Sequence, residues 1–137
     1  MKQKNNHKYD TVMLIDDNEI DNFINSKMIE GNRYAKYIQA FTNGFSAYEY
    51  LKNIIQLNTF DKSLIPDIIL LDINMPVTDG FQFMILYNSL KTTALSKTKI
   101  YMLTSSINPN DELRCKEFEN IEKLLHKPLS DHILSTL

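Results

Sequence analysis

Short apolar runs alternate with longer stretches of helical period along this chain, and that alternation limits the fold more than any other feature. The runs are Thr11 to Ile15, Ala35 to Phe41, Asp67 to Leu71, Lys99 to Leu103 and Ile121 to Leu125. Between the first two, Ile20, Phe23, Ile24 and Met28 recur at helical spacing, and Gly31 closes that first helix. A second helix carries Tyr48, Leu51, Ile54 and Ile55 on one face, and Asn58 to Pro66 reads as a loop. Phe81 to Leu90 is a third helix, too densely apolar to define one stripe. Asn108-Pro109-Asn110-Asp111 opens a fourth, with Asn as cap, Pro at the first helical position and an acid three residues after the cap. It runs to about Glu119 and buries little beyond Leu113 and Phe118, while Ser130 to Leu137 forms a short fifth helix. Five strands and five helices in strict order, joined by right-handed crossovers, make a parallel sheet covered on both faces. The second strand, being more polar, belongs at an edge.

Bulk properties exclude several classes. At 137 residues, 43% hydrophobic and 23% charged, the chain reads as one soluble domain with a substantial core. A formal net charge of −2 gives no electrostatic case for a nucleic-acid partner. The single cysteine, Cys115, rules out an internal disulfide and fits a reducing compartment. No apolar run approaches the roughly 20 residues that cross a bilayer, and the polar, basic start is no secretory signal. Residues 1–8 are therefore expected to form a tail before a domain spanning 9–137, in a cytoplasmic protein with no membrane partner.

The chemistry collects at strand ends. The stretch from Asp67 to Gly80 delivers one acid, Asp72, at the end of an apolar run, and then Pro76 and Asp79-Gly80 force a turn. Other strands end in Asp16-Asp17, Thr104 and Lys127, and in a parallel sheet all these ends lie on one side. With strand order 2-1-3-4-5, the first and third strands flank the switch point, so Asp16, Asp17 and Asp72 face one another across a crevice. Carboxylates about 5 Å apart repel by roughly 3 kcal/mol per pair at an effective dielectric near 20. Either a proton or a cation then belongs among them. The all-oxygen donor set favours Mg²⁺, and Asn74 could add a backbone carbonyl. Three carboxylates, Mg²⁺ and the Lys127 ammonium sum to about zero charge. Asp72 is then expected to be a nucleophile that becomes phosphorylated. Mg²⁺, Lys127, the Thr104 hydroxyl and nearby backbone N–H groups would stabilise the phosphoryl oxygens. Asp17 could also cap the first helix, Asp79-Gly80 is turn chemistry, and Cys115 is an incidental thiol on a polar helix.

Leu14-Ile15-Asp16-Asp17, Leu70 through Gly80, Leu103-Thr104-Ser105-Ser106 and Lys127-Pro128, in this order and spacing, resemble the receiver domain of bacterial two-component response regulators. The resemblance runs from about Tyr9 to the end. It implies a flavodoxin-like, doubly wound five-stranded parallel sheet of order 2-1-3-4-5. It also implies Mg²⁺ held by Asp16, Asp17, Asp72 and Asn74, phosphoryl contacts from Thr104 and Lys127, and a cis Lys127-Pro128 bond. The donor would be a phosphohistidine on a sensor histidine kinase or histidine phosphotransfer protein, and the domain a monomer or weak dimer. The family often has an aromatic three residues before the lysine, where this chain has Leu124. Output is therefore expected to rely on backbone shifts around Thr104 to Pro109, moving the fourth-helix and fifth-strand face. Two other readings compete: a small phosphohydrolase working through an aspartyl phosphate, and a pseudo-receiver that binds partners without phosphorylation. Against the first, Asn74 stands where such an enzyme usually has a second catalytic Asp.

Overall fold

The computed structural model describes residues 6–57, 61–106 and 108–137. Parts of the expected N-terminal tail, of the Asn58 to Pro66 loop and of the Thr104 to Pro109 segment lie outside the described residues. In chain order the elements are β1 (Tyr9–Ile15), α1 (Glu19–Gly31), β2 (Ala35–Phe41), α2 (Gly44–Gln56), β3 (Ile68–Asp72) and α3 (Gly80–Ser89). Then follow β4 (Lys99–Thr104), α4 (Pro109–Cys115), β5 (Ile121–His126) and α5 (Asp131–Thr136). Two single 3₁₀ turns, Lys62–Leu64 and Thr93–Leu95, add to the expected elements. The five strands pair in parallel in the order β2-β1-β3-β4-β5, as the strand-end argument requires.

Strand alternation builds two cores from one sheet. Met13, Ile15, Ile69, Leu71, Ile100 and Met102 point to one face, where they meet Leu51 of α2, Phe81, Phe83 and Met84 of α3, and Cys115 of α4. Val12, Leu14, Ile68, Leu70, Tyr101 and Leu103 point to the other and meet Ile29 of α1 and Leu134 of α5. The central strand β3 is buried at every position, so it reads as one apolar run rather than an alternating one. Both edge strands, β2 and β5, expose polar side chains. The C-terminus is tied back where the Tyr9 hydroxyl donates to the Leu137 carbonyl at 2.8 Å.

Of the four apolar positions at helical spacing on α1, Met28 packs against the core, but Ile20, Phe23 and Ile24 are 68%, 62% and 51% exposed. What α1 buries in its first half is Asn22 and Asn25, and the reason is a polar anchor. The Asn22 amide donates to the carbonyls of Asp16 and Phe41, at 3.0 and 3.2 Å, where β1 and β2 end and their carbonyls need partners. The residue capping α1 is Asn18, whose side chain accepts from the N–H of Ile20 and Asp21, so Asp17 is not the cap. In α4, Leu113 is 60% exposed and the helix ends at Cys115; the buried group there is the Cys115 thiol, 3.5 Å from the Met102 sulfur. Cys115 is thus a core residue, and burial pushes its thiol up to about 11. Phe118, as expected, packs inward, half-buried and stacked on Phe81 at 6.1 Å between ring centroids.

Asp79 and Gly80 set the start of α3. Asp79 and Gln82 form a reciprocal capping box, with both bonds at 2.8 Å. The Gly80 N–H donates to the Ile73 carbonyl at 2.8 Å, pressing the helix onto the end of β3. A Cβ here would lie 2.7 Å from the Asp72 carbonyl oxygen and 2.9 Å from the Ile73 Cα. Gly80→Ala is therefore expected to lower stability by about 2–3 kcal/mol. Gly31→Ala, whose Cβ would meet nothing within 4 Å at a helix end, should be neutral or stabilising by about 0.5 kcal/mol. Urea unfolding of the two variants checks the contrast.

Candidate functional site

The carboxyl ends of β1, β3, β4 and β5 bring the expected residues together. Asp16 lies just past β1, Asp72 ends β3, Thr104 ends β4 and Lys127 follows β5. One carboxylate oxygen from each of Asp16, Asp17 and Asp72 falls within 4.8 Å of the others. Asp16 and Asp72 are buried and Asp17 is exposed, so the group opens to solvent on one side. Lys127 reaches over from the edge strand. Its Nζ donates to Asp16 Oδ2 at 2.7 Å and lies 3.4 Å from Asp72 Oδ1. The remaining Asp16 oxygen accepts from the Asn18 N–H at 2.9 Å. Both oxygens of this acid are fixed.

Thr104 is fully buried, and its Oγ1 accepts from the Ser106 N–H at 3.0 Å, which leaves its O–H as a donor. The Lys127 N–H donates to the Thr104 carbonyl at 2.8 Å, so one backbone bond ties the hydroxyl-bearing residue to the ammonium-bearing one. The Lys127-Pro128 peptide is cis, as the resemblance implied. Asn74 is exposed in the turn two residues past Asp72. Leu124, at the position that is often aromatic, is half-buried and packs against the Met102 side of the core.

Sequence reasoning missed Asp21. It sits in the first turn of α1, with its Oδ2 3.3 Å from the Lys127 Nζ. A signal was present, since the helix begins three residues past Asp16 and its first turn must run beside the same sheet edge.

Electrostatics follow from this packing. Burial pushes the Asp72 carboxyl up to about 6, the negative Asp16 beside it pushes the same way, and attraction to Lys127 opposes both. For Lys127, burial alone would lower the pKa, but the bond to Asp16 and the fields of Asp72 and Asp16 outweigh it, and the ammonium is held charged above its ordinary value. A close, oxygen-only acid group with one raised carboxyl suits a hard divalent cation, which would relieve the repulsion that raises Asp72.

Fold and site together define the class, an α/β phosphoacceptor switch, and the comparisons give the family. The model of the response regulator receiver domain matches residues 12–137, and the chain belongs to that family. Members accept a phosphoryl group from a histidine kinase or phosphotransfer partner and bind Mg²⁺ at an acidic site. The chain is 32% identical over 139 aligned positions to the sensor histidine kinase CheAY of Helicobacter pylori, and spans 99% of itself but only 15% of that protein's length. Among solved structures it resembles a two-component response regulator from Cytophaga hutchinsonii, at 29% identity and a TM-score of 0.80, covering 93% of this chain and 92% of that one. A receiver domain of a sensor histidine kinase from Pseudomonas aeruginosa PAO1, solved with a magnesium ion coordinated in its active site cleft, shares the fold at 19% identity. Its TM-score is 0.70, over 93% of this chain and 92% of that one.

The raised Asp72 carboxyl has a consequence for stability. Its folded pKa, about 6, lies above the unfolded value of 3.8, so the folded state prefers the protonated form. The penalty is absent below the unfolded value, grows as pH rises through the window between the two, and reaches roughly 3 kcal/mol at neutral pH in the metal-free chain. Metal-free Asp72→Asn should therefore unfold later than wild type at pH 7.5, with the gap closing near pH 4. Added Mg²⁺ should raise the wild-type midpoint and narrow the gap. Thermal unfolding across this range, with chelator or with Mg²⁺, measures both effects, and an equal gap at every pH would contradict them.

Proposed function

We propose that this domain accepts a phosphoryl group on Asp72 and so switches a partner-binding surface. The observation that carries the reading is one charged hollow at the sheet edge: three carboxylates within 4.8 Å, and the Lys127 ammonium 3.4 Å from the acceptor oxygen. Asp16, Asp17 and Asp72 would hold Mg²⁺, with the backbone carbonyl of Asn74. When bound, the cation neutralises charge on the acids and on the incoming phosphoryl oxygens. Asp72, ionised at neutral pH, attacks phosphorus through a carboxylate oxygen. The Lys127 ammonium and the Thr104 O–H would meet the phosphoryl oxygens. Asp16 keeps Lys127 charged and aimed into the hollow, while its second oxygen is pinned by the Asn18 N–H.

Acetyl phosphate with Mg²⁺ should add the mass of one phosphoryl group to the intact chain, and chelator should prevent it. Asp72→Asn should take up none, and Lys127→Ala should label at least tenfold more slowly. Labelling of Asp72→Asn equal to wild type would remove the mechanism. Multiple-turnover hydrolysis of an ordinary phosphomonoester would favour the phosphohydrolase instead.

The donor must bring a phosphohistidine to the mouth of the hollow, and α1 starts beside that mouth. Its exposed strip of Ile20, Phe23 and Ile24 suits an apolar helical surface on the kinase or phosphotransfer protein. Phe23→Ser is expected to slow phosphotransfer from a phosphohistidine donor protein that labels the wild type by about tenfold, the loss of roughly 1–2 kcal/mol of contact. Labelling by acetyl phosphate, which needs no docking, should stay unchanged.

A further inference from the structure

Lys127 is paired with one acid that lies outside the hollow. Its ammonium lies 2.7 Å from Asp16, 3.3 Å from Asp21 and 3.4 Å from Asp72. Asp21 stands apart from the close acid group, and its side chain is 38% exposed. It is also fixed in place. Its own N–H donates to the Asn18 cap at 3.2 Å, and its neighbour Asn22 bonds the Asp16 and Phe41 carbonyls. The Asp21 backbone is therefore held where it is if the lysine moves.

We propose that Asp21 is a positioning residue that holds Lys127 back in the resting domain and so opposes phosphorylation. The inference rests on the reading of Asp72 as phosphoacceptor. In the transfer from acetyl phosphate, a bond forms between an Asp72 oxygen and phosphorus. The bond from phosphorus to the acetyl oxygen breaks, and acetate leaves with that electron pair. No proton is gained or lost. The product puts a phosphoryl group, carrying about two negative charges, where a carboxylate carried one. The ammonium is drawn to its oxygens and must loosen its hold on Asp21. Asp21 therefore stabilises the reactant arrangement more than the product, and its charge also repels the incoming anion. With Asp21 beside Asp16, Asp17 and Asp72, the site is one charge more negative than the acid trio alone.

The test uses the full chain and two probes, acetyl phosphate for the reaction and beryllium fluoride with Mg²⁺ as a non-reacting phosphoryl mimic. Asp21→Asn keeps the size and removes the charge. Its rate of labelling at saturating Mg²⁺, and its affinity for beryllium fluoride, should each rise about two- to fivefold, the range expected for a partly exposed ion pair. In the metal-free protein the Lys127 ammonium nitrogen resonance should shift. Glu19→Gln removes an equal charge from the same exposed first turn, and should leave all three readouts at wild-type values. Asp21→Glu should keep the slow wild-type labelling. Asp21→Asn labelling at the wild-type rate or more slowly would overturn the proposal, as would Glu19→Gln reproducing the gain. A wild type that neither labels nor binds beryllium fluoride would instead overturn the phosphoacceptor reading and this inference with it.

Discussion

One ion pair organises this molecule: the Lys127 ammonium at the end of β5 against Asp16 at the end of β1, 2.7 Å apart and 111 residues distant in sequence. In the order β2-β1-β3-β4-β5 the two residues stand on strands separated by β3 and β4. The lysine therefore spans the ends of the central strands, where Asp72 and Thr104 emerge. Removing Lys127 alone would leave a buried Asp16 without its counterion, which is costlier than never having had the charge. The acids are kept close although they repel, and burial together with the field of Asp16 holds the Asp72 carboxyl above its ordinary value.

The rest of the fold serves this edge. Strand alternation sends one set of apolar side chains to α2, α3 and α4 and the other to α1 and α5, so the sheet is clamped from both sides and its ends are held in register. The turn after β3 is held down by the Gly80 N–H on the Ile73 carbonyl. The start of α1 is held by Asn18 and Asn22. Both devices are polar contacts at helix starts, and each leaves a catalytic-edge acid with little freedom.

Sheet order, helix placement and the acid trio with Lys127 were legible in the sequence because each rests on a strong local signal: an apolar run of strand length, ended by a charged or hydroxyl residue. The cap at Asn108 and the turn at Asp79-Gly80 were legible for the same reason. The direction of α1 was not legible. Ile20, Phe23 and Ile24 have helical spacing, but periodicity shows only that residues share a face, not which way the face points. The deciding contacts are the two bonds from Asn22 to strand-end carbonyls, six and 19 residues away, which hydrophobic periodicity does not encode. Cys115 was misjudged because α4 is polar around it, and a single buried position in a seven-residue helix leaves no period to detect. Asp21 escaped because it lies on a helix rather than at a strand end, where the acids had been sought.

The Phe81 ring has a bearing on how far α4 can travel. It is almost fully buried, with the Arg114 guanidinium of α4 4.0 Å from its centroid and Phe118 stacked on it. These two residues cover an aromatic surface. Lifting α4 wets that ring at an expense of up to about 2 kcal/mol, and the same sum drives the cover shut again. Any displacement of Arg114 and Phe118 is thus opposed by the apolar ring they cover.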